Sequence, residues 1–230
     1  VQQAFTPEKH FSIPGWTGWL HSEPANSVGG DMIDAVKIDS ERYGISLGDI
    51  SGKELGAALY MVKLQSTLRA VVSDFDSLKE LGEKINRIFF RDSESNRFAT
   101  MVYMDIVPGS GEVKILNAGH MPPIIFRGDQ VSEMERGGIA LGLKKNAEYI
   151  EQHESLDPGD LIVLYSDGIT EAKNSINRFF EKNRFISLIK NLQKEPLEIV
   201  GDAIMTNIKQ FIGDAKVSDD ISLILLRREK

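Results

Sequence analysis

The chain has 230 residues, 41% of them hydrophobic and 27% charged, with a formal net charge of -7 and no cysteine; this is the make-up of one soluble globular unit with a well-buried core. The missing cysteines exclude disulfides, zinc–thiolate sites and thiol nucleophiles, and suit a reducing cytoplasm. The acidic balance argues against a nucleic-acid partner, and no window approaches the run of about 18 apolar residues that a membrane-spanning helix needs.

Val1 to Phe5 carry neither the basic start nor the apolar stretch of a signal peptide, and a chain opening on valine reads as a piece of something longer. Residues 1–26 read as an irregular lead-in with room for one strand, in which Trp16 and Trp19 pack on the core or on a partner. Two strand-like runs, AVKID and YGISL, are separated by Ser40-Glu41-Arg42 and predict a hairpin that delivers Asp49 at a strand end. From Gly52 to about Val72, Leu55, Leu59, Val62 and Leu68 recur at helical spacing, with Lys53, Lys63 and Arg69 on the wet side. A second helix is expected over Ser77 to Phe90.

Between Phe98 and Val131 the runs FATMVYMDIV, EVKILNAG and PPIIFRG predict an antiparallel meander. Asp157-Pro158-Gly159-Asp160 is a strong turn, and the run LIVLYSD after it reads as a buried strand ending at Asp167. Helices follow over about Glu181 to Leu192 and Pro196 to Phe211, with Gly213 just past the end of the second, and ISLILLRR makes a last strand. Blocks of strands interrupted by paired helices define an α+β fold of antiparallel sheets with helices outside.

Four aspartate positions stand out. Asp31 follows a Gly-Gly pair, Asp49 follows Gly48, Asp167 precedes Gly168, and Asp219-Asp220 precedes the final strand, so each lies at a strand edge or turn. Any one of these is by itself an ordinary turn or cap residue. Together, on rigid strand ends beside glycines that allow close approach, they can converge. Converging carboxylates raise one another's pKa, and two divalent cations would resolve the conflict. Hard oxygen ligands, including a backbone carbonyl such as that of Ile50, select Mg2+ or Mn2+ over zinc. Two such ions acidify a water and neutralise a phosphoryl group, which predicts direct phosphomonoester hydrolysis with Asp31, Asp49, Asp167 and Asp219 as the catalytic set.

Competing motifs fail. Gly48 to Lys53 has the wrong spacing for a phosphate-binding loop, and Glu54 stands where a Ser or Thr should hold magnesium. Asp167 to Thr170 has Tyr165 in place of the partner aspartate of an aspartyl-phosphate enzyme. His120 is a candidate general acid or ligand, although a histidine between strand and turn is more often a hydrogen-bonded structural residue. His10, His21 and His153 have no recognisable context.

The ordered motifs, which run nearly the whole chain, resemble the bacterial type 2C-like (PPM) serine/threonine protein phosphatases of the sporulation stage II and sigma-B regulator group. They are Pro24-Ala25, Val28 to Asp31, Gly48 to Lys53, Ala57 to Leu59, Phe98 to Thr100, Asn117 to Pro123, Gly142-Leu143, Pro158 to Asp160, Asp167 to Glu171 and Asp219 to Ser222. The resemblance implies two stacked antiparallel β-sheets flanked by α-helices, with two Mn2+ or Mg2+ ions in a cleft at one edge. It implies that Asp49 bridges both ions, that Asp31 and the Ile50 carbonyl serve one, and that Asp167 with Asp219 serves the other, with Asp220 as the second member of the final pair. It implies as substrate a phosphoserine or phosphothreonine on an anti-sigma-factor antagonist, and as partner an upstream sensory domain or regulator acting on the helix that starts near Gly52. Departures from the family pattern are Glu54, where glycine is usual, and Met32 and Ile33, where aromatics are common.

Two rival readings stay open on sequence grounds: a catalytically weak partner-docking module that keeps the aspartates for structure, and a metal-dependent phosphatase of small molecules. A homodimer packed through Phe5, Phe11, Trp16 and Trp19 is also open.

Overall fold

The computed structural model describes residues 5–93 and 97–229, so the first four residues of the lead-in lie outside the described residues. Strands β1 (His10–Ile13), β2 (Trp16–Glu23), β11 (Ile221–Arg228), β10 (Leu161–Tyr165), β7 (Ile124–Arg127) and β8 (Gln130–Glu133) form a six-stranded sheet in that order. Strands β3 (Met32–Lys37), β4 (Tyr43–Ile50), β5 (Ala99–Ile106), β6 (Glu112–Ala118) and β9 (Glu151–Ser155) form a five-stranded sheet in that order. All strand pairs are antiparallel. Helices α1 (Glu54–Val71) and α2 (Leu78–Asp92) cover the five-stranded sheet. The short α3 (Asp167–Thr170), α4 (Lys182–Leu192) and α5 (Leu197–Ile212) belong to the six-stranded side.

Three hydrophobic layers hold the four structural layers together. Ile33, Ile45, Leu47, Val102, Met104, Ile162, Leu164, Ile224 and Leu226 meet between the sheets. Leu161, Val163, Leu223 and Leu225, the alternate residues of the same strands, face α4 and α5 through Phe185, Ile189, Val200 and Ile204. Both faces of β10 and β11 are therefore buried, which is why LIVLY and ISLILL are continuous apolar runs rather than alternating ones. No helix among the described residues is long and apolar enough to cross a membrane.

The expected hairpin, the helix over 77–90, the turn at 157–160, both late helices and the last strand are present. Four points depart from the sequence reading, three of them corrected expectations and one a strand it did not foresee. The lead-in is not irregular: β1 and β2 form a hairpin, and β2 pairs with β11 over its whole length. Trp19 faces the helices while Trp16 and Leu20 fill the space between the sheets, so the run lacks a period because it too is buried on both sides. The strands of the predicted meander divide between sheets, β5–β6 in one and β7–β8 in the other. Strand β9, EQHES, carries no apolar signal and forms by pairing with β6 at the sheet edge.

The fourth point concerns the buried stripe of α1. It is Ala57, Met61, Leu64 and Leu68, with Ala58 and Gln65 beside it. Leu55 and Leu59 are 64% and 63% exposed. Both stripes have helical spacing, but alanines let the helix approach the sheet closely, and they set which one faces inward.

Candidate metal centre

The antiparallel ladders bring the four acidic segments to one edge of the sandwich. Met32 pairs with Gly48, which sets Asp31 beside Asp49 at the mouth of the β3–β4 hairpin, and the Ile50 N–H donates to the Gly30 carbonyl at 3.3 Å. In the other sheet, the Ser166 N–H donates to the Ser222 carbonyl at 3.0 Å, which sets Asp167 beside Asp219 and Asp220. Gly168 is required by this packing: a Cβ there would lie 1.9 Å from the Asp220 carbonyl oxygen. A Cβ on Gly30 would reach 3.0 Å from the Ile50 carbonyl oxygen and 3.4 Å from Asp49 Oδ1, and one on Gly29 would lie 2.0 Å from Asp220 Oδ2, so the glycine pair before Asp31 lets the backbone approach all three of these oxygens.

The electrostatics agree with this geometry. Burial drives the Asp31 carboxyl well above its ordinary range, and the charges of Asp49 and Asp220 add to it, against the hydroxyls of Ser222 and Ser166. Asp49 is pushed up to about 7 by burial and then by the charges of Asp167, Asp219 and Asp220. Asp167 is raised by burial, then by Asp219 and Glu171. Carboxylates that raise one another in this way lie within mutual electrostatic reach.

Asp219 and Asp220 do different things. Asp220 is buried, and both of its oxygens are engaged: Oδ1 accepts the Ala25 N–H at 2.8 Å, while Oδ2 accepts the Gly30 and Asp31 N–H groups at 2.7 and 3.2 Å. It ties the loop before β3 to the start of β11. Asp219 lines the cleft together with Asp49, Gly52, Lys53 and Glu54.

Divalent cations fit this donor set. Asp31 Oδ2 is buried with no hydrogen-bond partner, an arrangement that is costly for a carboxylate unless a proton or cation compensates it. The donors are all hard oxygens, which suit Mg2+ or Mn2+. Among the described residues no three acidic or imidazole side chains stand close enough together to hold one metal ion as they are placed. A roomier cleft of about 500 Å3 between β1 and the start of α5, lined by His10, Thr17, Glu198 and Arg227, has no comparable carboxylate cluster.

Sequence reasoning missed several supports. Arg97 donates to the Ser51 carbonyl at 2.7 Å and lies over the Tyr60 ring, bracing the loop after Asp49. Lys53, expected only as a wet-face residue, reaches the Ser218 carbonyl at 3.4 Å across the cleft. Glu54 opens α1 at φ +62, in the left-handed region, a conformation that glycine adopts without a Cβ penalty. His120 is buried, and burial lowers its pKa to about 4, so the ring is neutral near pH 7.

Two stacked antiparallel sheets between helices, with an acidic cluster at one edge, define the fold class of PP2C domains. The stage II sporulation protein E (SpoIIE) family model matches residues 39–229, and the chain belongs to that family. Phosphoserine phosphatase RsbU of Bacillus subtilis (strain 168) is 29% identical over 218 residues, covering 90% of this chain and 62% of that protein. The chain thus spans less than two thirds of this relative's length. The crystal structure of the RsbU and RsbW domains of Rv1364c from Mycobacterium tuberculosis superposes with a TM-score of 0.78 at 23% identity, covering 96% of this chain and 62% of that one. RsbX, solved in complex with magnesium, superposes with a TM-score of 0.70 at 14% identity, covering 95% and 98%.

Proposed function

We propose that this chain is a metal-dependent protein serine/threonine phosphatase domain. The observation that carries the reading is the gathering of Asp31, Asp49, Asp167 and Asp219 from two sheets onto one edge, with the carboxyls of the first three raised. Asp49, Asp31 and the Ile50 carbonyl, together with Asp167 and Asp219 from the other sheet, would hold two divalent cations. Mg2+ or Mn2+ bound there supplies an acidified water and neutralises charge on a phosphoryl group.

The chain's own part is positioning. Asp220 is an anchor rather than a ligand, because its oxygens hold the Gly30-Asp31 turn. Lys53 stands at the cleft rim, where an ammonium group attracts a phosphate oxygen. The reaction is hydrolysis: the water oxygen bonds to phosphorus as the bond to the serine or threonine oxygen breaks.

The substrate class follows from the RsbU-like character of the chain: a phosphorylated anti-sigma-factor antagonist in a partner-switching pathway, with an upstream sensory domain or regulator controlling activity. The cytoplasm is the compartment this implies. A comparison of phosphoserine proteins with small phosphomonoesters, both with Mn2+, tests the substrate class. Much higher kcat/KM on the phosphoprotein is expected; equal or better turnover of small esters contradicts it.

A further inference from the structure

The strand ends that carry the acidic cluster belong to different sheets, and one buried side chain sits in the turn that crosses from one sheet to the other. β6 ends at Ala118 in the five-stranded sheet and β7 begins at Ile124 in the six-stranded one, so residues 119–123 cross from sheet to sheet. Gly119 sits at φ +72, and a Cβ there would lie 2.7 Å from the Ala140 backbone nitrogen, so the crossing turn has a single shape. Asn117 clasps it twice: its Oδ1 accepts the His120 N–H at 2.8 Å and its Nδ2 donates to the His120 carbonyl at 3.3 Å.

This clasp turns the His120 ring inward, where the residue is 3% exposed. Nδ1 shares a hydrogen bond with Thr100 Oγ1 at 2.8 Å. Thr100 is the β5 residue directly opposite Asp49 of β4, and cross-strand partners project from the same face. The other ring nitrogen, Nε2, is enclosed with no hydrogen-bond partner.

We propose that His120 is a positioning residue that holds Asp49 in place, bracing the β4–β5 strand end through Thr100 from the clasped turn between the sheets. It touches no substrate. A buried ring fixed by the Asn117 clasp and hydrogen-bonded to Thr100 gives that strand end a rigid support. The inference rests on the reading of the acidic cluster as a cation site, because the side chain it positions is a cation ligand in that reading.

Calorimetric titration of Mn2+ into metal-free protein tests it on wild type, Thr100→Val, His120→Phe, the double variant and His120→Asn, with thermal melts as the check on folding. Groups that orient metal ligands change metal affinity by about 10–100-fold. Each single variant is therefore expected to bind Mn2+ about tenfold more weakly or worse, and the double variant no worse than the weaker single, since the pair acts as one unit. His120→Asn, which keeps a polar atom near Nδ1, should recover most of the loss, and kcat should fall with affinity while KM for a phosphopeptide stays near wild type.

Folded variants with wild-type Mn2+ affinity, or losses that simply add in the double variant, overturn the proposal while the cation site stands. A wild type that takes up no Mn2+ overturns the cation site itself. Should His120→Phe fail to fold, Thr100→Val, which changes shape little, carries the test.

Discussion

Asp220 accepts the backbone N–H groups of both Gly30 and Asp31 at 2.7 and 3.2 Å, so a residue at the head of the last strand holds in place a turn 190 positions earlier in the chain. Both residues line the cleft, but its neighbour Asp219 is exposed and its Oδ1 accepts the adjacent Asp220 N–H at 3.0 Å. Substituting the two should therefore have opposite consequences. Asp220→Ala leaves buried donors without an acceptor and should cost about 2 kcal/mol or more in urea unfolding. Asp219→Asn removes a like charge from the cluster and should leave metal-free stability equal or higher, while weakening Mn2+ binding at least tenfold. Equal stability losses in the two variants would show that the pair shares one role.

The cluster also predicts a pH dependence in EDTA. The folded protein keeps a proton on Asp49 up to a pH of about 7, whereas an unfolded aspartate releases it near pH 3.9 or so. Over that window the native state holds the extra proton, so this contribution is full at low pH and is lost as pH rises, by at most about 1.4 kcal/mol per pH unit. Asp31 and Asp167 act in the same direction. His120 acts in the opposite one. Its folded pKa is lowered to about 4, so its contribution is complete above about pH 6.5 and is lost as pH falls toward the folded value. The difference between Asp49→Asn and wild type isolates the first effect: the variant should gain relative stability steadily from about pH 4.5 to about 7.5. A constant difference across that range contradicts it.

Glu54 opens α1 in the left-handed region, which costs a residue with a Cβ about 1–2 kcal/mol. Glycine avoids that cost but loses about 0.5–1 kcal/mol in chain entropy. Glu54→Gly should therefore leave stability unchanged or raise it by up to about 1 kcal/mol in denaturant unfolding. A loss above about 1 kcal/mol would mean that the Glu54 side chain makes a stabilising contact that outweighs its backbone.

The sequence made the helices and the central strands legible because one physical signal dominates each. Ser77 caps α2, Pro196 opens α5 and Gly213 closes it, and the buried run before Asp167 is too short and too apolar for a surface helix. The aspartates were legible because glycines flank them. What stayed hidden depends on contacts distant in sequence. EQHES is a strand only because β6 offers it an edge, and the β1–β2 hairpin is ordered by pairing with β11, about 200 residues away. The inward stripe of α1 is decided by close approach to the sheet, which the spacing of Leu55 and Leu59 cannot reveal. Asp219 and Asp220 are adjacent and chemically identical, so only the three-dimensional clasp on Gly30 and Asp31 tells them apart.

The central claim is that the gathered aspartates make a metal-dependent phosphatase. Phosphate release from a phosphoserine protein, measured for wild type and Asp49→Asn with Mn2+ and with EDTA, tests it most directly. Turnover by wild type with Mn2+, none with EDTA, and a loss of about a hundredfold or more in Asp49→Asn are expected. Turnover that persists in EDTA, or an Asp49→Asn variant as active as wild type, would contradict it.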